Sequence, residues 1–304
     1  MTRVVAVVVT RNRLPMLQKC IDAIRKQTRP CDHIIVVDNG SDDGTDLWLK
    51  DQNDLSALRQ TNTGGAGGFH TGIAAALRDG YESVWLMDDD VIPSGNCLEL
   101  LLCNLHPGVG FVAPLVTTPA GSRQLCHHKR FHRFPYLREF CAMSNDLLDR
   151  ELPNGGLVRI EANGFVGLLV SCTAIRAIGL PRKGFFITWD DTEFTFRITR
   201  TFPGYVLVGA TVEHHNAVVA SSNSNQLPPW RFYYQWRNRI LFSWTVDPFP
   251  LPILVALRVA VGAGTRTIID GRRPLRTYFR ALWYAVRDGV SRTDGQVDLA
   301  TRKP

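Results

Sequence analysis

Apolar, mostly β-branched residues run without a break from Val4 to Val9 and stop at Thr10-Arg11-Asn12. A short continuous run of this kind predicts a strand buried on both faces of a parallel sheet, with polar groups gathered at its end. Leu14, Leu17, Ile21 and Ile24 then recur at helical spacing, with Pro15 in the first turn, which predicts a helix over 14–26 packed on that sheet. Ile34 to Val37 predicts a second buried strand, and it runs into the turn- and cap-forming residues Asp38-Asn39-Gly40-Ser41-Asp42-Asp43-Gly44-Thr45. Strand, helix and strand at this spacing make a βαβ unit.

Asn62-Thr63-Gly64-Gly65-Ala66-Gly67-Gly68 precedes a helical pattern containing Ile73, Ala76 and Leu77, so the glycines are expected in a loop that opens onto a helix N-terminus and brings backbone close to a ligand. Val84 to Met87 predicts a third buried strand, ending abruptly in Asp88-Asp89-Asp90. In doubly wound sheets the carboxyl ends of the strands form the ligand crevice, and Thr10, Asp38 and the aspartate triplet all fall there.

Beyond Pro107 the pattern is mixed. A strand is expected at Val109 to Val112, and the polar, basic and aromatic stretch 121–154 has no assignable element. Regularity returns at Ile160 to Ala162 and in an apolar strand from Gly167 to Thr173. The turn Trp189-Asp190-Asp191-Thr192-Glu193 leads into a helix from Phe194 to Arg200, and a strand from Tyr205 to Val208 precedes Glu213-His214-His215. From Trp230 the chain is aromatic and basic and continues as arginine-rich apolar helices to about Arg287. The remainder, 288–304, reads as a disordered tail.

A chain of 304 residues suffices for one large α/β domain with an added C-terminal segment. Its net charge of +7 favours phosphates, nucleic acid or an anionic membrane as partners, without choosing among them. The seven cysteines contain no CxxC pair, which fits a reduced cytosolic chain. Cys126-His127-His128, with His132 and Cys141 downstream, matches no common zinc spacing and is expected to be a polar loop. The longest apolar stretch, Phe249 to Ala263, is interrupted by Pro250, Pro252 and Arg258, so no spanning helix is expected.

Three adjacent aspartates held in a crevice repel one another and call for a cation; Mg²⁺ or Mn²⁺ with oxygen ligands, open to phosphate oxygens, is the natural one. Asp190 and Asp191 follow aromatic residues that would shape a pocket, where one carboxylate could act as general base; a helix N-terminus decorated with acids looks the same. His214 or His215 could supply an imidazole ligand. The glycine run lacks the Lys-Ser/Thr ending of a P-loop and the GxGxxG spacing of a dinucleotide fold.

Taken in order, Val7-Val8-Val9-Thr10-Arg11-Asn12, Val36-Val37-Asp38-Asn39-Gly40-Ser41, Asn62 with Gly64-Gly65-Ala66-Gly67-Gly68-Phe69, Asp88-Asp89-Asp90, Trp189-Asp190-Asp191-Thr192-Glu193 and Arg237-Asn238-Arg239 resemble family 2 glycosyltransferases of the GT-A fold. Within that family they look most like actinobacterial galactofuranosyltransferases that initiate the cell-wall galactan, with rhamnosyltransferases as near relatives. The resemblance implies a Rossmann-like mixed α/β sheet flanked by helices and an inverting, Mn²⁺- or Mg²⁺-dependent transfer. Galactofuranose would pass from UDP-galactofuranose to a polyprenyl-diphosphate-linked glycan.

The same resemblance places Thr10, Arg11 and Asp38 at the nucleoside, with Asp38 accepting from the uracil N–H, and Asn62, Gly64 and Gly65 at ribose and diphosphate. Asp88 and Asp89 would meet the donor, and Asp89, Asp90 and His214 the metal. Asp191, with Asp190, would be the catalytic base, and Trp189 and Glu193 would line the acceptor pocket. The resemblance covers about residues 3–245 and gives a GT-A domain over 1–245; past it, arginines interleaved with apolar residues over 246–287 suit a basic apolar helical segment for membrane association, the alternative being helices that pack into the core with their arginines solvated, and 288–304 is the tail. The location would be cytoplasmic, peripheral on the inner face of the plasma membrane.

Competing classes explain fewer residues. A dehydrogenase needs its glycine fingerprint where this chain has Thr10-Arg11-Asn12-Arg13. A nucleic-acid binder has no use for Asp88 to Asp90, so no nucleic-acid partner is expected. A rhamnosyltransferase using dTDP-rhamnose, and a non-catalytic basic nucleotide- or membrane-binding module, stay as alternatives.

Overall fold

The computed structural model describes residues 2–131, 156–215, 227–271 and 274–299. Strands β1 (Val4–Thr10), β2 (His33–Asp38), β3 (Leu55–Arg59) and β4 (Ser83–Asp88) run parallel in the order β3-β2-β1-β4. Between them come helices α1 (Leu14–Arg25), α2 (Thr45–Lys50) and α3 (Gly64–Arg78). Every residue of β1 is buried, and its side chains divide by the strand's period of two. Val5, Val7 and Val9 join Phe69 and Ile73 of α3 on one face, while Val4, Ala6 and Val8 meet Leu17, Ile21 and Ile24 of α1 on the other. Register pairs Thr10 with Asp38 and Val9 with Asp88, so the polar ends of three strands arrive together at one edge.

The glycine run is not a loop. Gly64 to Gly68 form the first turns of α3, which begins at Gly64. Their smallness sets how close the helix comes to its neighbours: a Cβ on Gly68 would lie 2.5 Å from a Val9 methyl, and one on Gly72 2.3 Å from a Val7 methyl. Gly64 has a positive φ of 74°, and a Cβ there would fall 1.9 Å from the carbonyl oxygen of Phe186. Glycine here serves close packing at a helix start, a purpose that reads locally like a turn.

The second half of the sheet is mixed. After β4 come β5 (Val91–Pro93), α4 (Cys97–Asn104), β6 (Phe111–Thr117), β7 (His128–Lys129), β8 (Leu157–Ile160), β9 (Ala162–Asn163), β10 (Leu168–Ser171), α5 (Cys172–Ile178), α6 (Asp190–Thr199) and β11 (Gly204–His214). Strand β10 lies antiparallel between β4 and β6; β11 runs parallel to β6 and antiparallel to β5 and β8.

Three boundaries differ from expectation. The strand placed at Val109–Val112 runs instead from Phe111 to Thr117, and α6 starts four residues before Phe194, so its acids lie inside the first turn. The third is β11, which continues past Val208 through a register shift between Leu207 and Thr211 and carries His214 in the strand itself. Of the unassigned stretch, 132–155, including His132 and Cys141, lies outside the described residues.

Helices α7 (Pro229–Val246), α8 (Leu251–Ile269) and α9 (Leu275–Val290) build their own core from Phe232, Tyr233, Val255, Val259, Tyr278 and Tyr284. This unit therefore starts at α7, before the boundary expected at 245. Among the described residues α8 is long and apolar enough, by length and composition, to cross a membrane, although the interrupted sequence predicted no such helix. Its Val255, Ala256, Val259 and Ala263 are buried within the three-helix unit.

The tail expected to be disordered from Asp288 is placed against the body as far as Leu299. Asp288 is still within α9 and accepts from the Tyr233 hydroxyl, the Gly295 N–H donates to Gly184, and Val297 and Leu299 join the helical core. Backbone hydrogen bonds hold this segment, and these leave no hydrophobic signature in sequence.

Candidate active site

The edge where β1, β2 and β4 end carries the aspartate cluster. Asp88 closes β4, and burial together with Asp90, Asp89 and Asp190 pushes its carboxyl well above the usual range. Asp89 is buried; its Oδ2 accepts from the Thr10 hydroxyl at 2.7 Å and its Oδ1 lies 3.3 Å from Arg13 Nη1. Burial lifts Asp89 to about 6 against the opposing pull of Thr10 and Arg13. Arg13 also bonds Asp90 Oδ2 at 2.6 Å. Burial would raise Asp90, but His214 and Arg13 beside it hold it below the ordinary carboxylate value.

The chain turns directly from Asp90 into β5, which pairs with β11 so that Val91 faces His214; the His215 N–H donates to the Asp90 carbonyl. This register delivers one histidine of the pair. His214 is buried with Nε2 3.4 Å from Asp90 Oδ1, while the half-buried His215 turns to Glu213. The other His214 nitrogen, Nδ1, lies 3.2 Å from Gln124 Oε1, which His127 Nε2 also approaches at 3.1 Å.

Nε2 points at Asp90 Oδ1, a buried oxygen with no hydrogen-bond partner: as imidazolium the ring supplies the charge that holds Asp90 low, and as neutral imidazole, with Nδ1 donating to Gln124, it presents a lone pair there. Oxygen and nitrogen atoms converging in this way fit a divalent cation, and Arg13, on Asp90 Oδ2 and Asp89 Oδ1, already offsets part of their negative charge. Among the described residues no group of three or more His, Cys, Asp or Glu side chains is already drawn together around one point.

The nucleoside residues divide. Asp38 is buried, accepts from the Ser41 N–H through Oδ1, and keeps Oδ2 without a hydrogen-bond partner, 3.7 Å from Arg59 Nε. Thr10 is spent on Asp89, and Arg11 is exposed at the rim. Asn62 accepts from the Gly64 N–H at 3.0 Å, so it shapes the start of α3, and Gly65 faces open space.

Asp190 and Asp191 open α6 behind the left-handed Trp189. Asp190 is buried, and desolvation with the adjacent Asp191 raises it to about 8, so it holds its proton near neutral pH. Asp191 is half-buried; its Oδ1 takes the Thr192 hydroxyl at 3.0 Å, and Lys129 Nζ donates to that same hydroxyl. Gly164 separates Asp191 from the histidines: a Cβ there would lie 3.3 Å from Asp191 Oδ2 and 3.2 Å from His127 Nδ1. The metal-side cluster and the candidate base therefore share one wall.

Trp189 stacks obliquely on Phe242, 5.4 Å between ring centres. Glu193, expected in the acceptor pocket, is instead fully buried between Arg197 (2.9 Å) and Arg182 (3.3 Å), where it ties α6 to the loop after α5.

Several site residues were not legible as such. In the stretch Cys126-His127-His128, expected to be a polar loop, Cys126 is exposed but His127 stands edge-on to His214 with centroids 4.9 Å apart, and burial pushes it well below its ordinary value. His128 is buried against Asn163, 2.6 Å away, and burial lowers it to about 4. Arg13 and Gln124 carry no motif signal, because topology rather than spacing brings them to the aspartates. Arg231, at the start of α7, lies near enough to Arg13 that burial and mutual repulsion lower it.

The sequence pattern of Glycosyl transferase family 2 matches residues 5–163, just over half of the chain. Galactofuranosyltransferase GlfT1 of Mycolicibacterium smegmatis is 32% identical over 205 residues, spanning 65% of this chain and 66% of that protein. GlfT1 of Mycobacterium tuberculosis is 32% identical over 204 residues, spanning 65% of each. Two solved structures share the fold. GalNAc-T7 with UDP, GalNAc and Mn²⁺ aligns with a TM-score of 0.64 at 11% identity, covering 92% of this chain and 54% of that one. A mannosyltransferase of Pyrobaculum calidifontis with GDP-Man and Mn²⁺ aligns at 0.54 and 17% identity, covering 96% and 86%. The chain spans just under two thirds of the length of the relatives it matches; it belongs to glycosyl transferase family 2 and is built on the GT-A mixed sheet.

Proposed function

We propose that this enzyme transfers galactofuranose from UDP-galactofuranose to a polyprenyl-diphosphate-linked cell-wall glycan, with inversion and with the help of Mn²⁺ or Mg²⁺. The observation that carries the reading is the unpartnered Asp90 Oδ1 facing His214 Nε2, across the Gly164 wall from Asp191. The galactofuranosyltransferase relatives support the choice of sugar.

Asp89, Asp90 and His214 would hold the cation, whose charge, when bound, offsets that of the departing diphosphate. Asp38 Oδ2 offers a buried acceptor for the uracil N–H, and Arg13 and Arg231 lie where diphosphate oxygens need cations. Asp191 takes the proton of the acceptor hydroxyl as it attacks the anomeric carbon in line with the leaving diphosphate; one displacement inverts that carbon. Asp190, protonated beside it, adds no second negative charge to the pocket.

The C-terminal helices support a place on the inner face of the plasma membrane. Leu254, Leu257, Val261 and Ile268 of α8 and Phe279 and Trp283 of α9 are exposed, on helices that also bear Arg266 and Arg276. Apolar side chains among arginines suit an anionic lipid surface.

The test is incubation of the full chain with UDP-galactofuranose or dTDP-rhamnose and a polyprenyl-diphosphate-linked disaccharide in vesicles. Galactofuranose transfer, abolished by EDTA, is expected. Transfer from dTDP-rhamnose alone overturns the choice of sugar, and transfer from neither overturns the reading.

A further inference from the structure

The turn that leads to Asp190 and Asp191 has an unusual backbone. Phe186, Thr188 and Trp189 are non-glycine residues with φ of 63°, 64° and 68°, a left-handed conformation that side chains disfavour. Such a run persists only where its surroundings over-determine it. Here the surroundings are two neighbouring residues of α7, both fully buried.

Asn238 Nδ2 donates to the carbonyls of Phe185 (2.9 Å), Ile187 (2.8 Å) and Thr188 (2.9 Å), so a single amide spans the turn. Arg237 Nε donates to Asn238 Oδ1 at 2.9 Å, which fixes the amide with its nitrogen toward those carbonyls. Arg237 Nη2 reaches Gly184 (2.8 Å) and Phe185 (3.1 Å), and Nη1 reaches Gly295 at 2.6 Å. The faces of Tyr233 and Tyr234 meet the guanidinium at 5.3 and 4.8 Å.

We propose that Arg237 and Asn238 are positioning residues for the catalytic turn: through the carbonyls of Gly184, Phe185, Ile187 and Thr188 they hold Trp189 at the N-cap of α6 and thereby aim the Asp191 carboxylate at the acceptor hydroxyl. The inference rests on Asp191 being the base of the proposed transfer. Neither residue touches the aspartate cluster, Asp38 or the Phe186 carbonyl that accepts from the Ala66 N–H at the start of α3, so the pair is expected to act on the chemical step far more than on donor binding. A misplacement of about 1 Å at a reacting group costs on the order of 100-fold in rate.

The experiment compares Asn238→Asp, Arg237→Met and Arg237→Lys in the full chain, reading three quantities: calorimetric affinity for UDP with Mn²⁺, kcat and KM for transfer, and melting temperature. Asn238→Asp replaces the donating amide with an acceptor facing three carbonyls; kcat is expected to fall by about 100-fold while UDP affinity stays within about threefold. Arg237→Met is expected to fall comparably, and Arg237→Lys, which keeps a donor and a charge, to recover part of that loss.

Unchanged kcat in the folded variants, or kcat and UDP affinity falling in parallel, overturns the proposal. If Asn238→Asp does not fold, the Arg237 pair decides by the same criterion. A wild-type chain that binds UDP with Mn²⁺ but shows no transfer, or binds none, marks a failure of the functional reading instead.

Discussion

Arg13 Nη1 stands 2.6 Å from Asp90 Oδ2 and extends the same nitrogen to Asp89, 3.3 Å away. A guanidinium thus lies against the two carboxylates that would hold a metal, and it is 44% exposed on its outer side, free to swing away. Cation and arginine compete for the same charge. Arg13→Gln is expected to raise the affinity for Mn²⁺ alone by about fivefold, since losing a partly exposed competing ion pair is worth on the order of 1 kcal/mol. Titration followed by Mn²⁺ electron paramagnetic resonance measures it; an unchanged or weaker affinity contradicts the competition.

Asp190 predicts a pH signature. Its folded value near 8 lies far above that of an unfolded aspartate, so between pH 4 and 8 the folded chain keeps a proton that the unfolded chain has lost. Stability from this group is therefore present at the acid end and declines as pH rises through the window. Asp190→Asn removes the effect, and the variant's stability relative to wild type is expected to climb from pH 5 to pH 8 in urea unfolding. A pH-independent difference rules out the raised value.

Close approach of α3 to β1 depends on Gly72. A Cβ there would stand 2.3 Å from a Val7 methyl and 3.2 Å from a Val37 methyl, and both valines are fully buried. Gly72→Ala gains helix propensity but forces strand and helix apart, with a net cost of about 1–3 kcal/mol. Differential scanning calorimetry should show a melting temperature lower by several degrees; a rise would mean that the layer has slack.

Legibility in the sequence followed the range of the interaction. Val4–Val9, Ile34–Val37 and Val84–Met87 announce themselves because a strand buried on both faces must be apolar at every position, and their polar ends then mark the site. Gly64 to Gly68 misled because a glycine needed for contact with Val9 and Phe186 looks, from its neighbours in sequence, like one needed for a turn. The tail near Gly295 misled because backbone groups anchor it. Glu193 reads as part of an acidic motif, but its partners Arg182 and Arg197 turn it inward. Gln124 and His127 meet His214 only because β11 extends beyond its bulge to the edge of the sheet.

Asp191 lies across Gly164 from His127 and is proposed to act on the acceptor hydroxyl, so its removal should split binding from chemistry. Asp191→Asn preserves shape and the contact with Thr192 but cannot take a proton at neutral pH. UDP affinity is expected to stay within about threefold while kcat falls by 100-fold or more, the range of general-base contributions. Parallel loss of both, seen by calorimetry and by transfer assay, would place Asp191 in the nucleotide site.

The most direct measurement is calorimetric binding of UDP to the full chain with Mn²⁺ and with EDTA, repeated on Asp90→Ala and His214→Ala and compared with dTDP. The predicted result is UDP binding that needs Mn²⁺, exceeds dTDP binding, and weakens at least tenfold in each variant. Metal-independent binding, or variants that bind UDP with Mn²⁺ as the wild type does, would contradict a metal-assisted UDP-sugar site formed by Asp90 and His214.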